Sequence, residues 1–133
     1  ALVQEVIYQA LKGEQSHLLQ ALCVQDNNHS KIAHVLRYIE ENFSAKIDIG
    51  HLASEVNMGE SSFHKAFKKV TSDSPLKYLK KVRLIKSRDM LLQGLLAYEA
   101  AARVGYESVS QYSREFKRFF GYNPSELSSQ QAI

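Results

Sequence analysis

Phe63-His64-Lys65-Ala66-Phe67-Lys68-Lys69 returns 49 residues later as Tyr112-Ser113-Arg114-Glu115-Phe116-Lys117-Arg118. The same shift carries Asp73-Ser74-Pro75 onto Tyr122-Asn123-Pro124. Just upstream, Ala53-Ser54-Glu55-Val56 matches Ala101-Ala102-Arg103-Val104 at a shift of 48, so the second copy has one more residue in its turn. Each copy reads as a short helix, a tight turn and a basic helix, which is the helix-turn-helix arrangement.

Helix geometry separates the faces of the two basic segments. At about 100° per residue, Phe63, Phe67 and Val70 fall on one side of the first, and Ser61, Lys65 and Lys68 fall opposite. In the second copy Tyr112, Phe116 and Phe119 point inward, while Ser110, Arg114 and Lys117 point out. An aromatic anchor holds the helix, and the outward row is left for phosphates and base edges, with Arg suited to two-point contact with guanine. Either helix alone would pass for an ordinary amphipathic helix with a solvated face. Two copies with the same turn chemistry and matched outer rows favour nucleic-acid reading instead.

Outward from the repeat, helical periodicity continues. Ile32, Val35, Leu36, Ile39 and Phe43 form one stripe, with Ser30 as its expected cap. Asp48 is placed to cap a short helix carrying Ile49, Leu52, Ala53 and Val56. The turn Asn57-Met58-Gly59 ends it, and a helix over 60–71 follows. Ser74 and Pro75 then supply a cap and a first-turn proline for a long helix reaching about residue 94. Helices over 97–104 and 109–120 follow, then a short turn from Pro124. No sustained period-2 alternation occurs, so the expected fold is all-α, two helix-turn-helix subdomains joined by a long central helix.

That central helix carries Lys77, Lys80, Lys81, Arg83, Lys86 and Arg88 against Asp89, and its apolar positions Leu76, Leu79, Val82, Leu84 and Leu91 spread over more than one face. Apolar surface on two faces suits a helix packed between two subdomains. A run of ~18 residues spans about 27 Å, a length that could hold two reading helices roughly one DNA turn (~34 Å) apart. Its basic residues read mainly as a solvated face, with only some reaching phosphate.

Composition sets bounds. The 133 residues, 44% hydrophobic, suit one compact domain with an appended segment. Net charge is +3, but residues 60–120 hold 13 basic and 6 acidic side chains, whereas residues 1–59 hold 4 and 7. The basic character belongs to the second half. The single cysteine, Cys23, excludes an internal disulfide and fits a reducing, cytoplasmic setting. Beside Leu22 and Val24 it reads as a small buried thiol rather than a nucleophile. No apolar run approaches a membrane span. The five histidines lack metal-ligand spacing, His29 and His34 included. Glu60 suits a helix N-terminus and its angle lies near the anchor side. Residues 26–30 are polar and read as a linker. Residues 1–29 are therefore expected to be the helical tail of an upstream domain plus linker, a domain that the family resemblance given below implies to be regulatory, and 30–133 the tandem helix-turn-helix domain.

Ala101-Ala102-Arg103-Val104-Gly105-Tyr106-Glu107-Ser108, followed by Gln111-Tyr112-Ser113-Arg114-Glu115-Phe116-Lys117-Arg118-Phe119-Phe120-Gly121 and Pro124, closely resembles the signature of the AraC/XylS family of transcriptional regulators. The likeness covers about residues 30–127. It includes Leu52-Ala53, Met58, Ser62 to Lys65, Phe67-Lys68 and Thr71 in the first unit. The resemblance implies seven helices and two units entering neighbouring major grooves. It implies base-reading positions at Ser61, His64 and Lys65 in the first unit, and at Val109, Ser110, Gln111 and Arg114 in the second. Ser61, Lys65, Ser110 and Arg114 are also given by the outward-face geometry, which adds Lys68 and Lys117. For His64 a reading role and a solvated one remain open.

The implied partners are double-stranded DNA, RNA polymerase, and a small-molecule effector acting through an N-terminal domain, whose end residues 1–25 loosely resemble. No cofactor, metal or membrane is expected, and no enzymatic activity. Gly59 stands where the family often has a serine cap, Ser72 where a glycine is frequent, and Leu127 where an aromatic is common. Two other classes were weighed. A DNA-repair methyl-transfer module would need ligands or a nucleophile beyond Cys23. A basic helical protein-interaction module would not need paired aromatic-anchored turns.

Overall fold

A computed structural model describes residues 27–131, with side chains up to Leu127. The reading of residues 1–25, and Cys23 with it, lies outside the described residues. Those described form seven helices: α1 Asn27–Asn42, α2 Ile49–Glu55, α3 Glu60–Thr71, α4 Pro75–Leu92, α5 Ala97–Arg103, α6 Val109–Phe120 and α7 Pro124–Gln131. The expected all-α fold of two helix-turn-helix subdomains joined by a long helix is what the chain adopts.

Helix α1 already includes Asn27, three residues before the expected cap. Asn27, Asn28, His29 and Ser30 are helical, so Ser30 does not cap it and the expected 29/30 boundary falls inside a helix. The polar run holds neither Gly nor Pro, so nothing in it stops a helix; its polarity marks exposure rather than a break. Asp48 does cap α2, its Oδ1 accepting from the Gly50 amide at 3.0 Å. Ser74 caps α4, its Oγ accepting from the Lys77 amide at 3.3 Å, and Pro75 takes the first helical position. Pro124 occupies the same position in α7, where Glu126 accepts from the Asn123 amide at 2.6 Å.

Two compact units divide the chain. The first takes residues 27–42 and Ile47–Leu79. In it α3 packs on α1 and α2. Ile32, Val35, Ile39, Leu52, Ala53, Phe63, Phe67 and Leu79 are buried there. Phe63 and Phe67 have ring centroids 5.8 Å apart, and Phe67 meets Tyr78 edge-on at 5.6 Å. The second unit takes Phe43–Lys46 and residues from Lys80 onward. Here α6 packs on α5 and α7. Leu84, Leu91, Ala100, Ala101, Tyr112 and Phe116 are the core, with Leu127 packed on it in place of an aromatic. Helix α4 runs through both units, and its exposure departs from expectation at Leu76, which is 52% exposed.

The backbone repeats as the sequence does. Asn57 donates to the Ser54 carbonyl and Met58 to that of Ala53; 48 residues on, Gly105 donates to Ala102 and Tyr106 to Ala101. Asn57 and Gly105 both take left-handed backbone, at φ 57° and 101°. A Cβ at Gly105 would also stand 2.9 Å from the Ser44 carbonyl oxygen and 3.1 Å from Arg83 Cζ. Asn tolerates the first turn, but the second has no room for a side chain. The basic helices end alike: Ser72 donates to Lys68 and Gly121 to Lys117, both left-handed, at φ 68° and 88°.

Ser72 carries the strain that Gly121 avoids. Replacing Ser72→Gly should therefore raise unfolding free energy by about 1 kcal/mol, and Gly121→Ala should lower it by a similar ~1 kcal/mol. Urea unfolding of the two variants checks the pair; equal, same-signed shifts would contradict the assignment.

Candidate nucleic-acid interface

The anchors are where the helical angles put them. Phe63, Phe67, Tyr112 and Phe116 are each 0% exposed. With those side chains buried, the opposite face of each basic helix is fixed outward. Ser61, His64, Lys65 and Lys68 on α3 are all exposed, as are Val109, Ser110, Gln111, Arg114 and Lys117 on α6. Val109 is 44% exposed, a large apolar side chain left in water. Each basic helix thus exposes its own candidate residues, with Ser61, Lys65 and Lys68, and Ser110, Arg114 and Lys117, on the outer row, His64 and Gln111 at its flanks, and Val109 at the start of α6 on the side of Phe116.

The two helices start differently. Ser108 caps α6, its Oγ accepting from the Gln111 amide at 3.1 Å. Gly59 opens α3 with no side-chain cap, in extended backbone at φ −68°, ψ 152°. Space around it is open. Glu60 leans toward α2, where a Cβ on Gly50 would stand 2.9 Å from its Oε1. Its carboxylate is therefore turned from the outer row, as its helical angle suggested. His64 sits edge-on to Phe63 at 6.0 Å while remaining exposed. Beside this row, Asn28 and His29 of α1 line a cleft of about 230 Å³ with Ser62, Lys65, Ala66 and Lys69.

The cations of the two outer rows differ from those of α4. Among the described residues no carboxylate pairs with Lys65, Lys68, Arg114 or Lys117. Those of α4 are engaged internally. Lys77 lies 3.8 Å from Asp73, and Lys80 lies 3.3 Å from Glu115. Arg83 donates from Nε to the Phe43 carbonyl at 2.7 Å and from Nη2 to that of Ala45 at 2.9 Å. Lys86 stands over the Phe43 ring at 5.7 Å, Arg88 over Phe120 at 4.7 Å, and Lys81 is 4% exposed. Burial lowers the Arg83 pKa, opposed by Tyr106 and Glu115. The solvated face expected of α4 holds for Lys77, whose side chain is 61% exposed, whereas Lys80, Arg83, Lys86 and Arg88 are partly buried against partners and Lys81 is buried.

The sequence reading missed a polar cluster under α6. Glu115 accepts from Tyr106 Oη at 2.8 Å, from Gln111 Nε2 at 2.8 Å and from Lys80 Nζ at 3.3 Å. Burial works to raise its pKa, but these donors outweigh it and hold the carboxyl below its ordinary range. Tyr106, buried and donating to Glu115, is pushed upward. The signal was present as Gln111 and Glu115 four apart on one helix. The Tyr112 hydroxyl is buried without a hydrogen-bond partner among the described residues, close to Ser87. Burial raises its pKa to about 12, and the Ser87 hydroxyl is engaged in donating to the Leu84 carbonyl at 2.7 Å. Among the described residues no three His, Cys, Asp or Glu side chains cluster as metal ligands, and no helix is long and apolar enough to cross a membrane.

A family model described as a helix-turn-helix domain matches residues 52–130. Among curated proteins, the HTH-type transcriptional regulator GbdR of Pseudomonas aeruginosa is 29% identical over 128 residues, covering 95% of this chain and 35% of that protein. The lactose operon transcription activator of Staphylococcus xylosus is 28% identical over 127 residues, covering 94% of this chain and 46% of the activator. The chain thus spans about a third to a half of the length of these two relatives. A solved structure, a probable AraC family transcriptional regulator from Rhodopseudomonas palustris, is 27% identical with a TM-score of 0.70, over 76% of this chain and 96% of that one. The DNA-binding domain of AdpA, solved in complex with a target DNA, shares the fold at a TM-score of 0.71 and 24% identity, over 75% and 91% of the two chains.

Two substitutions test the local geometry. Tyr112→Phe, which installs the ring found at Phe63, should leave stability unchanged or raise it by up to about 1 kcal/mol, since it removes a buried hydroxyl with no hydrogen-bond partner among the described residues. Gly59→Ser should stabilise by roughly 0.5–1 kcal/mol through a new cap and a less flexible unfolded chain. Thermal unfolding of both reads the sign. Taken together, the matched helix-turn-helix region, the relatives and the repeated anchored units place this chain in the AraC-type helix-turn-helix family.

Proposed function

We propose that this chain is the sequence-specific DNA-binding part of a transcription regulator and reads double-stranded DNA with α3 and α6. The single observation that carries this reading is the division of the cations: among the described residues no carboxylate pairs with those on the outer rows of the two anchored helices, while those of α4 have ion-pair, carbonyl or ring partners or are buried. Unpaired Lys and Arg on a rigid helix can neutralise phosphates and release counterions. In this account Ser61, His64 and Lys65 read one major-groove segment, and Val109, Ser110, Gln111 and Arg114 read the next. Lys68 and Lys117 hold the backbone. Val109 offers only an apolar surface, suited to a thymine methyl.

The relatives' names as transcriptional regulators and activators support regulation as the role. Such a protein works where the chromosome is, so the cytoplasm is its expected place. Control by a small effector through a separate regulatory domain, and contact with RNA polymerase, belong to the same proposal, with no catalytic step assigned.

Selection from a random duplex pool at ~150 mM salt, followed by sequencing, tests the reading. Two enriched blocks about one helical turn apart are expected. On the selected site, Arg114→Ala should cost ~1–3 kcal/mol, concentrated on one base pair. Lys68→Ala should weaken all sequences alike and lower the salt slope by about one. No enrichment would overturn specific recognition, and a uniform loss for Arg114→Ala would reduce that residue to a phosphate contact.

A further inference from the structure

We infer that Glu115 is a specificity-positioning residue: it locks the side-chain amide of Gln111 so that this residue favours a base bearing an exocyclic amine, adenine or cytosine, over guanine or thymine. The inference rests on the proposal that α6 reads DNA. Glu115 contacts no base in this account and acts only through Gln111.

An exposed glutamine at a reading position is ordinarily ambiguous. Its amide has a donor end and an acceptor end, and rotation by 180° about the last bond exchanges them at little cost. Here Gln111 is exposed, yet its Nε2 lies 2.8 Å from Glu115 Oε2. An ionised carboxylate only accepts hydrogen bonds, so the nitrogen and not the oxygen must face it. Glu115 is itself fixed. Its side chain is only 15% exposed, Tyr106 Oη donates to Oε1 at 2.8 Å, and Lys80 Nζ stands 3.3 Å from Oε2. The Lys80 ammonium also offsets the charge that would otherwise repel phosphate. Three elements, α4, the turn before α6 and α6 itself, thus converge to hold one amide in one sense.

With Nε2 turned inward, Oε1 and the remaining N–H form the edge left outward. In the major groove, adenine presents the N6 amine beside the N7 acceptor and cytosine presents the N4 amine, whereas guanine O6 and thymine O4 are acceptors. The outward oxygen meets the amines and the N–H beside it matches adenine N7, while guanine O6 or thymine O4 placed against that oxygen is opposed. The first unit has no such pair: 49 residues earlier, Gln111 and Glu115 correspond to Ser62 and Ala66. The device belongs to the second unit.

The experiment compares base preference, position by position, for wild type, Q111A, E115Q and the exchanged double variant Q111E/E115Q, by selection and competition on duplexes differing at one pair. In wild type, the position that loses preference in Q111A should be adenine or cytosine. E115Q lets the amide turn over, so discrimination there should fall by about tenfold, the scale of one well-made base contact, while other positions keep their order. The exchanged pair, with an acceptor-only carboxylate facing out, should restore the amine preference. A base preference unchanged in E115Q, or a loss equal on all sequences, overturns the inference and leaves Glu115 a structural residue. If Q111A selects the wild-type sequence, Gln111 reads nothing and the inference falls while DNA recognition stands. If wild type selects no sequence, both fall together. Side-chain amide NMR of the free protein adds a readout without DNA: wild type should show one Gln111 amide proton shifted downfield, and this should vanish in E115Q. A Gln111 signal like those of solvated glutamines would also overturn it.

Discussion

Everything distinctive about this molecule depends on two buried aromatic side chains, spaced four apart, in each basic helix. Phe63 with Phe67 and Tyr112 with Phe116 are fully removed from water, and each pair stacks within its own unit. Burying such a ring is worth on the order of 2–3 kcal/mol, far more than any exposed lysine gains or loses by choosing a direction. The rings therefore decide the rotation of the helix about its axis, and the outer residues follow. An outer row set this way is rigid, which is what a surface that discriminates between bases needs.

The same economy governs the backbone. Two turns with matching hydrogen bonds, one closing on Asn57 and one on Gly105, deliver the two helices from their preceding partners. The copies differ where chemistry permits. Asn stands where a left-handed residue has room, and Gly where Ser44 and Arg83 press close. The first copy lacks a side-chain cap and ends on a strained serine, whereas the second has Ser108 at its start and Gly121 at its end. The second unit is locally the better built of the two, and it also carries the polar cluster that holds Gln111.

Much of this was legible in the sequence. Six of the seven helices were readable because their apolar spacing is regular and Asp48, Ser74 and Pro75 punctuate them; the segment from Pro124 read only as a short turn and is an eight-residue helix. The outer-row residues were readable because the aromatic anchors leave one choice of face. Three features were not. The inclusion of Asn27 in α1 was hidden because a polar run reads alike as linker and as exposed helix. The fate of the α4 cations was hidden because charge pattern does not tell what a lysine meets across space: Lys80 finds Glu115 and Arg88 finds Phe120 through tertiary packing. Leu76, apolar and placed among buried neighbours, is left exposed because helical period alone does not say where the packed surface ends.

In the proposed complex the outer-row cations of α3 and α6, and not the engaged ones of α4, meet the nucleic acid. Titrating isotope-labelled protein with its selected duplex, and mapping side-chain and amide NMR shifts, tests this most directly. Large changes are expected at Ser61, Lys65, Lys68, Ser110, Arg114 and Lys117, with Lys80, Arg83 and Arg88 keeping their free-state signals. Perturbation centred on the α4 cations, with the two outer rows silent, would contradict it.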